Sequence, residues 1–436
     1  MKKVLLSAAV ALMAASSFSG LTASAQDAVT IDFAAVETAY GTEVWQEIMD
    51  AYKEVNPNVE FEFMQEKELE DALSPRLQSG DFPDVVMLAA NRAKGLPEAL
   101  LKDHAIADVS DIRDLTVPGE EATVGEKVFD GFLDSSSTNP YGDGKTYLMP
   151  MFYSPTGLFY NKALFEEKGW EVPQTWDEMW ALADVAKEEG IALFTYPTAG
   201  YLDTFYFSTI LGAGGQELFD KAMSYDPETW GSADFDKIYE VLNNLAANTE
   251  STTVANANPE GFTRNQQLIL DNKALFMPNG TWIAGEMAEA PRAEGFEWGM
   301  TAIPTVNEGS DRYAYTFIEH IWIPEAAENK EAAKEFIAFL YSDKAAEIFA
   351  KHGAAQPING VEALLPEDTA EFYSVYSDGV LPGMGGFLAT EAIEGVNLGD
   401  TLYQAFNSVV SGDLTIEEYK AGVVDVMTQF NAGLPQ

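Results

Sequence analysis

Asn279-Gly280-Thr281-Trp282 sets an amide, a glycine and an indole on four consecutive residues. Tyr201 with Asp203, Asn91 with Arg92, and Glu319 with His320 are further places where planar or charged groups stand together near the ends of apolar runs. An aromatic face can stack on the C–H face of a sugar ring, and planar polar groups can hydrogen-bond its hydroxyls, so these residues suit carbohydrate binding. Any one of these aromatics could instead be core packing. Trp282 is the best placed for contact, because it follows an expected turn at 278–282 rather than the middle of a strand. His320, with Ile318 and Ile321 around it, reads equally well as a ligand contact or as a buried, hydrogen-bonded histidine.

Other chemistries find less support. Gly212-Ala-Gly-Gly215 and Gly383-Met-Gly-Gly386 lack the third glycine of a dinucleotide loop, and Asn139 stands where a phosphate loop ending at Lys145 would need glycine. There is no G-x-S-x-G element. His104, His320 and His352 lack metal-ligand spacing, and the absence of cysteine excludes disulfides, zinc–thiolate sites and cysteine catalysis. Glycoside hydrolysis needs only two carboxyl groups about 5–10 Å apart. With 70 acidic residues some pair must come that close, so a secreted carbohydrate-active enzyme stays open as an alternative. The expectation is a binding protein with no catalysis, no metal and no cofactor.

The elements that must position these residues alternate β-α-β-α-β from the start. Strands are expected at 29–33, 59–64 and 85–88. Between them come a helix with Trp45, Ile48, Met49 and Tyr52 on one face and a polar helix closed by Gly80. Such a pattern predicts a parallel, wound α/β sheet whose ligand lies beyond the strand carboxyl ends, at 34–40, 65–68 and 89–92. A compact corner follows at 157–189, with an apolar strand at 158–160, a helix at 163–168 closed by Gly169, and a capping box of Thr175 with Glu178. Further on, 212–215 reads as a loop, 273–277 as a strand, 315–324 as an aromatic and apolar run, and Asn329 as a helix cap. The helix expected at 400–411 ends at Gly412, and Thr415 with Glu418 opens the last one.

The chain of 436 residues is long enough for two domains. Its first 25 residues read as a secretory signal, with Lys2 and Lys3, an apolar run at 4–15, and the A-x-A site Ala23-Ser24-Ala25. The mature chain is then expected to begin at Gln26. The formal net charge of −45 argues against nucleic acid as a partner and against anionic lipid surfaces. Acidity of this size also serves solubility in salt.

Leu158-Phe159-Tyr160-Asn161-Lys162 followed by Pro173-Gln-Thr-Trp-Asp-Glu178 resembles the family 1 extracellular solute-binding proteins of ABC sugar importers. Other elements match in order: Gly80-Asp-Phe-Pro-Asp-Val85, Gly144-Lys-Thr-Tyr-Leu-Met-Pro150, Ala274-Leu-Phe-Met-Pro-Asn-Gly-Thr-Trp282, and Trp322-Ile-Pro324 leading to Asn329-Lys-Glu-Ala-Ala-Lys-Glu-Phe336. The resemblance implies a type II-like periplasmic binding protein fold, two α/β lobes joined by hinge strands with the ligand cleft between them. It implies crossings near 151–155, 305–313 and 354–357, one lobe from 26–152 plus 310–355, and the other from 153–309 plus 356–436. It also implies that Glu37, Thr38, Asn91, Arg92 and Trp282 enter the cleft, with Met384 and Phe387 contributed by the carboxy-terminal lobe and Glu66 a further contact. Asn258-Pro-Glu-Gly-Phe-Thr-Arg-Asn265, Ala290-Pro-Arg292 and Phe317-Ile-Glu-His320 look like the N-acetylglucosamine and diacetylchitobiose receptors of this family. The partners implied are a sugar and the transmembrane subunits of an ABC permease, with the receptor a monomer. Without a cysteine for a lipid anchor, the expected compartment is a Gram-negative periplasm. A receptor of the same fold for a non-sugar such as a polyamine is a second alternative.

Overall fold

The alternation of Val29–Val36 (β1) sorts its side chains to two faces: Ile31, Phe33 and Ala35 enter one apolar cluster, while Ala34 and Val36 enter another. Val85–Met87 (β3) divides in the same way, with Val85 and Met87 on the first side and Val86 on the second. Burial on both faces is what a parallel sheet requires. Accordingly β1 pairs in parallel with Val59–Glu66 (β2), from Val29 opposite Val59 to Val36 opposite Glu66, and in parallel with β3. The computed structural model describes residues 28–434 apart from Ala39, Asn91, Ala93, Glu308, Ala389, Glu391 and Ala392, and the backbone alone of Asp368, Ser377 and Asp378. The expected leader at 1–25 lies outside the described residues.

Two long strands tie this region to the rest. Met149–Asn161 (β4) is buried along its whole length. Its Met149, Met151, Phe152 and Tyr153 pack in the first core, and its Leu158 and Tyr160 in a second. Tyr313–Trp322 (β8) runs antiparallel to it and makes the same passage in reverse, with Tyr315 in the second core and Ile318 and Ile321 in the first. Around residue 156 β4 changes partners. Up to Pro155 it pairs with β8, and from Thr156 it pairs with Ala274–Gly280 (β6) and Trp298–Thr301 (β7). Gly157 sits at that change, and a Cβ there would stand 2.4 Å from the Thr301 carbonyl oxygen. Ala192–Phe194 (β5) extends the second region in parallel with β6, and Leu381–Gly383 (β9) pairs with β8. The sheet path is therefore β2-β1-β3-β8-β4-β6-β5. The result is a two-lobed α/β fold with a main apolar core and a smaller apolar cluster in each lobe.

The first core is densely aromatic. Phe33 meets Trp45 edge-on at 4.9 Å and Phe336 at 5.5 Å, and Phe152 meets Phe349 at 4.9 Å. Full burial of each such side chain contributes about 1.5–3 kcal/mol, which holds the helices Val44–Val55, Lys330–Leu340 and Asp343–Lys351 to the sheet. The second core is covered by Trp176–Glu188, Leu202–Met223, Ala233–Ala247 and Ile416–Ala432. The capping boxes expected at Thr175 and Thr415 are both formed, each hydroxyl accepting from the glutamate backbone N–H three residues on.

Four local expectations need correction. Residues 212–215 are not a loop. The helix Leu202–Met223 runs through Gly212 and Ala213, and only Gly214 and Gly215 leave helical geometry, with Gly215 at φ +68°. The cause is burial of Phe205 to Ala213, which keeps that segment packed as helix. Residues 278–280 are not a turn, because Pro278, Asn279 and Gly280 stay paired to Leu158, Gly157 and Thr156. Asn329 stands at a helix N-terminus without capping it. Its side-chain amide donates instead to the Thr30 carbonyl at 3.2 Å and to buried Asp84 at 3.1 Å. The expected helix at 400–411 opens with a π-helical turn, Asp400–Gln404, before Ala405–Ser411.

Candidate functional site

A cavity of about 430 Å³ opens between the lobes, at the carboxyl ends of β1 and β3. The loop after β1 supplies Thr38 and Tyr40, and the loop after β3 supplies Ala89 and Arg92. Phe317 and Glu319 come from the crossing strand β8. Being two residues apart they emerge on one face. Thr198 and Tyr201 come from the 3-10 turn Ala199–Tyr201 and its entry, Asp203 and Thr204 from the start of Leu202–Met223, and Trp282 and Glu286 from the short segment after β6. Both lobes and the strand between them thus line one space.

Three rings form the apolar walls. Trp282 meets Phe317 at 5.6 Å with planes at 70°, and Tyr201 meets Trp282 at 6.2 Å with planes at 66°. Edge-to-face packing of this kind leaves ring surface free for a ligand. The Trp282 ring lies back over Gly280: a Cβ on that glycine would come within 2.1 Å of it. Thr281 between them is anchored to β4 through Ser154, hydroxyl to hydroxyl at 3.1 Å.

The polar groups are mostly acidic. Glu319 accepts the Tyr40 hydroxyl at 2.8 Å, and burial pushes its carboxyl up to about 7 against the pull of that bond and of Arg92. Burial likewise pushes Asp203 up to about 7, although it accepts the Thr204 backbone N–H at 2.5 Å. Glu286 keeps an exposed flank, yet the protein around it raises its carboxyl above the usual range while Gln266 donates to it at 2.7 Å and Tyr201 at 3.5 Å. Arg92 gives its Nε to Glu70 at 2.6 Å and an Nη to the same carboxylate at 3.4 Å. Burial alone would raise the Glu70 carboxyl, but the Arg92 contact outweighs it and the group lies below its usual range.

Of the residues singled out in the sequence, Thr38, Arg92, Tyr201, Asp203, Trp282 and Glu319 line this cavity. The others are placed elsewhere. His320 faces away from Glu319 and is 2 % exposed; its Nε2 and the Ser137 hydroxyl lie 2.8 Å apart, and its Nδ1 faces the Ala90 backbone N–H at 3.4 Å. Burial holds its imidazole down at about 3, so it is neutral and structural. Asn279, as a strand residue, is 1 % exposed and its side-chain oxygen accepts from Gly280 at 2.9 Å. Glu37 faces Lys67 at 3.4 Å, and Glu66 is exposed at the end of β2. Met384 lines a separate cavity of about 420 Å³ with Ser135, Asn139 and Gln216. Phe387 lines a third, of about 230 Å³, and stacks on Tyr225 at 5.0 Å. Asn91 lies outside the described residues.

Tyr40, Phe317 and Glu286 are cavity residues that sequence reasoning did not select. Two of them carry a usable signal: Phe317 stands two before Glu319 on a strand, and Glu286 stands four after Trp282, one helical turn along.

Residues 47–371 match the family model of the bacterial extracellular solute-binding proteins. The diacetylchitobiose binding protein NgcE of Streptomyces coelicolor is 26 % identical over 306 residues, covering 68 % of this chain and 62 % of that protein, so this chain spans less than two thirds of that relative's length. The multiple sugar-binding protein of Streptococcus mutans is 24 % identical over 344 residues, covering 77 % of this chain and 76 % of that one. Among solved structures, the apo form of RafE from Streptococcus pneumoniae superposes with a TM-score of 0.68 at 20 % identity, covering 93 % of this chain and 98 % of that one.

Proposed function

Since this chain belongs to the bacterial extracellular solute-binding proteins, we propose that it is a receptor that captures a mono- or oligosaccharide outside the cytoplasmic membrane and hands it to an ABC permease. The observation that carries this reading is the cavity between the lobes where Tyr201, Trp282 and Phe317 stand beside Arg92, Asp203 and Glu319. Rings for the C–H faces and charged, planar groups for the hydroxyls are what a sugar requires. Closure of the lobes about β4 and β8 would follow from contacts that the sugar makes to both sides, since a ligand shifts such an equilibrium only by its differential affinity.

In this reading the protein acts as a monomer in a Gram-negative periplasm after cleavage behind Ala25, with no catalytic step. One lobe comprises 26–152 and 310–355, the other 153–309 and 356–436, except that Tyr153, Ile358, Val361, Leu365 and Tyr373 pack in the first core. The narrower ligand class we propose is a 2-amino sugar or its disaccharide, N-acetylated like the ligand named for the Streptomyces relative or carrying a free amine.

The test is a thermal-shift and calorimetric screen of the exported protein against diacetylchitobiose, N-acetylglucosamine, maltose, raffinose and spermidine. A ligand that binds only the folded state adds about 2.7 kcal/mol at a hundredfold excess over its Kd. A sugar is expected to raise the Tm, and Trp282→Ala is expected to weaken its binding by about 2 kcal/mol, or ~30-fold. Binding of spermidine but of no sugar would overturn the substrate class. Cleavage of an oligosaccharide during the titration would replace the receptor by an enzyme.

A further inference from the structure

We propose that the ligand of this cleft is an amino sugar carrying a free ammonium group, held where Asp203, Glu286 and Glu319 face the rings of Tyr201, Trp282 and Phe317. The inference rests on the sugar-receptor reading and narrows its sugar.

The three carboxyl groups come from three different elements: the start of Leu202–Met223, the short helix Ile283–Glu286, and β8. Their hydrogen bonds are to neutral groups: a backbone N–H for Asp203, an amide and a phenol for Glu286, and the Tyr40 phenol for Glu319. Arg92 is the cavity's cationic side chain among the described residues, and its guanidinium already holds Glu70, a carboxylate 3 % exposed. Among the described residues the cleft therefore sets three carboxyl groups against one guanidinium, which is shared with Glu70. Carboxylates with little water around them are costly to ionise, which agrees with Asp203 sitting near 7 and with Glu319 sitting near 7 even against the pull of Arg92, and an ammonium beside them would favour the ionised form.

What the cleft lacks decides the ligand's chemistry. A neutral hydroxyl can donate to a carboxylate but brings no charge. An ammonium brings three N–H donors and a charge together, and aromatic faces attract it further. A bare metal ion does not fit, because among the described residues no group of three or more acidic or histidine side chains is spaced to hold one. The ring walls suit a ligand with a broad C–H face, which a pyranose ring offers.

The experiment is isothermal titration of the exported protein at pH 7 and low salt with the glucosamine disaccharide, its N,N′-diacetyl form and spermidine. The free-amine disaccharide is expected to bind at least about tenfold more tightly than the diacetyl form. That advantage is expected to fall in Asp203→Asn and Glu319→Gln, and in 0.5 M KCl. Glu286→Gln, at the more exposed carboxyl, gives the same readout if a buried variant misfolds. Equal or tighter binding of the diacetyl form would overturn the inference and leave the sugar receptor standing. No binding of either disaccharide would also overturn it, and the receptor reading would then stand or fall on the wider sugar screen. Spermidine bound more tightly than either would overturn both.

Discussion

Asp203 and His320 show how burial acts on single groups around the cleft. Burial raises the Asp203 carboxyl to about 7 and lowers the His320 imidazole to about 3. Each shift disfavours the charged form. For Asp203 the folded pKa lies above the unfolded value of about 3.9, so between pH 4 and 7 the folded state holds more proton than the unfolded state. Its contribution to stability therefore falls as pH rises through that window. For His320 the folded pKa lies below the unfolded value of about 6.5, so its contribution is present above that pH and is lost as pH falls toward 3. The expected outcome for Asp203→Asn is a Tm that gains on the parent protein as pH rises from 5 to 8, by an amount worth up to a few kcal/mol. A constant difference across that range, measured by calorimetry, would show that the carboxyl stays ionised throughout.

At the scale of elements, the segment from β6 to Trp282 explains why an indole can wall the cleft. β6 stays paired to β4 as far as Gly280, and the chain then turns through Thr281, which is fixed to Ser154. Gly280 has no side chain, so the Trp282 ring can lie against it. A Cβ would come within 2.1 Å of the ring. Gly280→Ala should therefore push the indole off its position facing Phe317. The expected result is a loss of ligand affinity of about tenfold or more, with a smaller cost in stability of about 1–3 kcal/mol. Unchanged affinity would mean that the ring moves without loss of contact. At Gly157 the obstacle is the backbone oxygen of Thr301, so there the cost of an added methyl falls on the packing of β4 against β7.

At the scale of the whole molecule, 25 basic residues face 70 acidic ones. Ion pairs such as Lys53–Glu60 and Lys221–Glu217 lie at the surface, where solvent screening leaves them little to contribute. Most acidic side chains must remain without a basic partner, and their mutual repulsion opposes the compact state. Salt screens exposed charges beyond about 8–10 Å at ordinary ionic strength. The Tm of the ligand-free protein is expected to rise as KCl is increased from 0.01 to 0.5 M. A fall over that range would mean that the attractive pairs outweigh the repulsion. The same field favours the approach of a cationic ligand, so the association rate of an amino sugar should drop over the same salt series.

Short-range signals were enough for much of the fold. The β-α-β alternation of the first ninety residues, the glycine stops at Gly80 and Gly169, and the capping boxes at Thr175 and Thr415 depend on neighbours within a few positions, and all are present. The strand carboxyl ends and the Trp282 segment also pointed to the cavity, because a strand's direction fixes where its loop emerges. What needed the tertiary structure is whatever a distant partner decides. Asn279 is buried because β4, more than a hundred residues earlier, keeps β6 extended past the expected turn. His320 is structural because Ser137 and the Ala90 backbone meet its ring, while Glu319 beside it points into the cleft. Met384 and Phe387 stand at other cavities along the chain's return. The carboxyls of Asp203, Glu286 and Glu319 share one space because three separate elements converge there, and that convergence follows from how the two cores pack about β4 and β8.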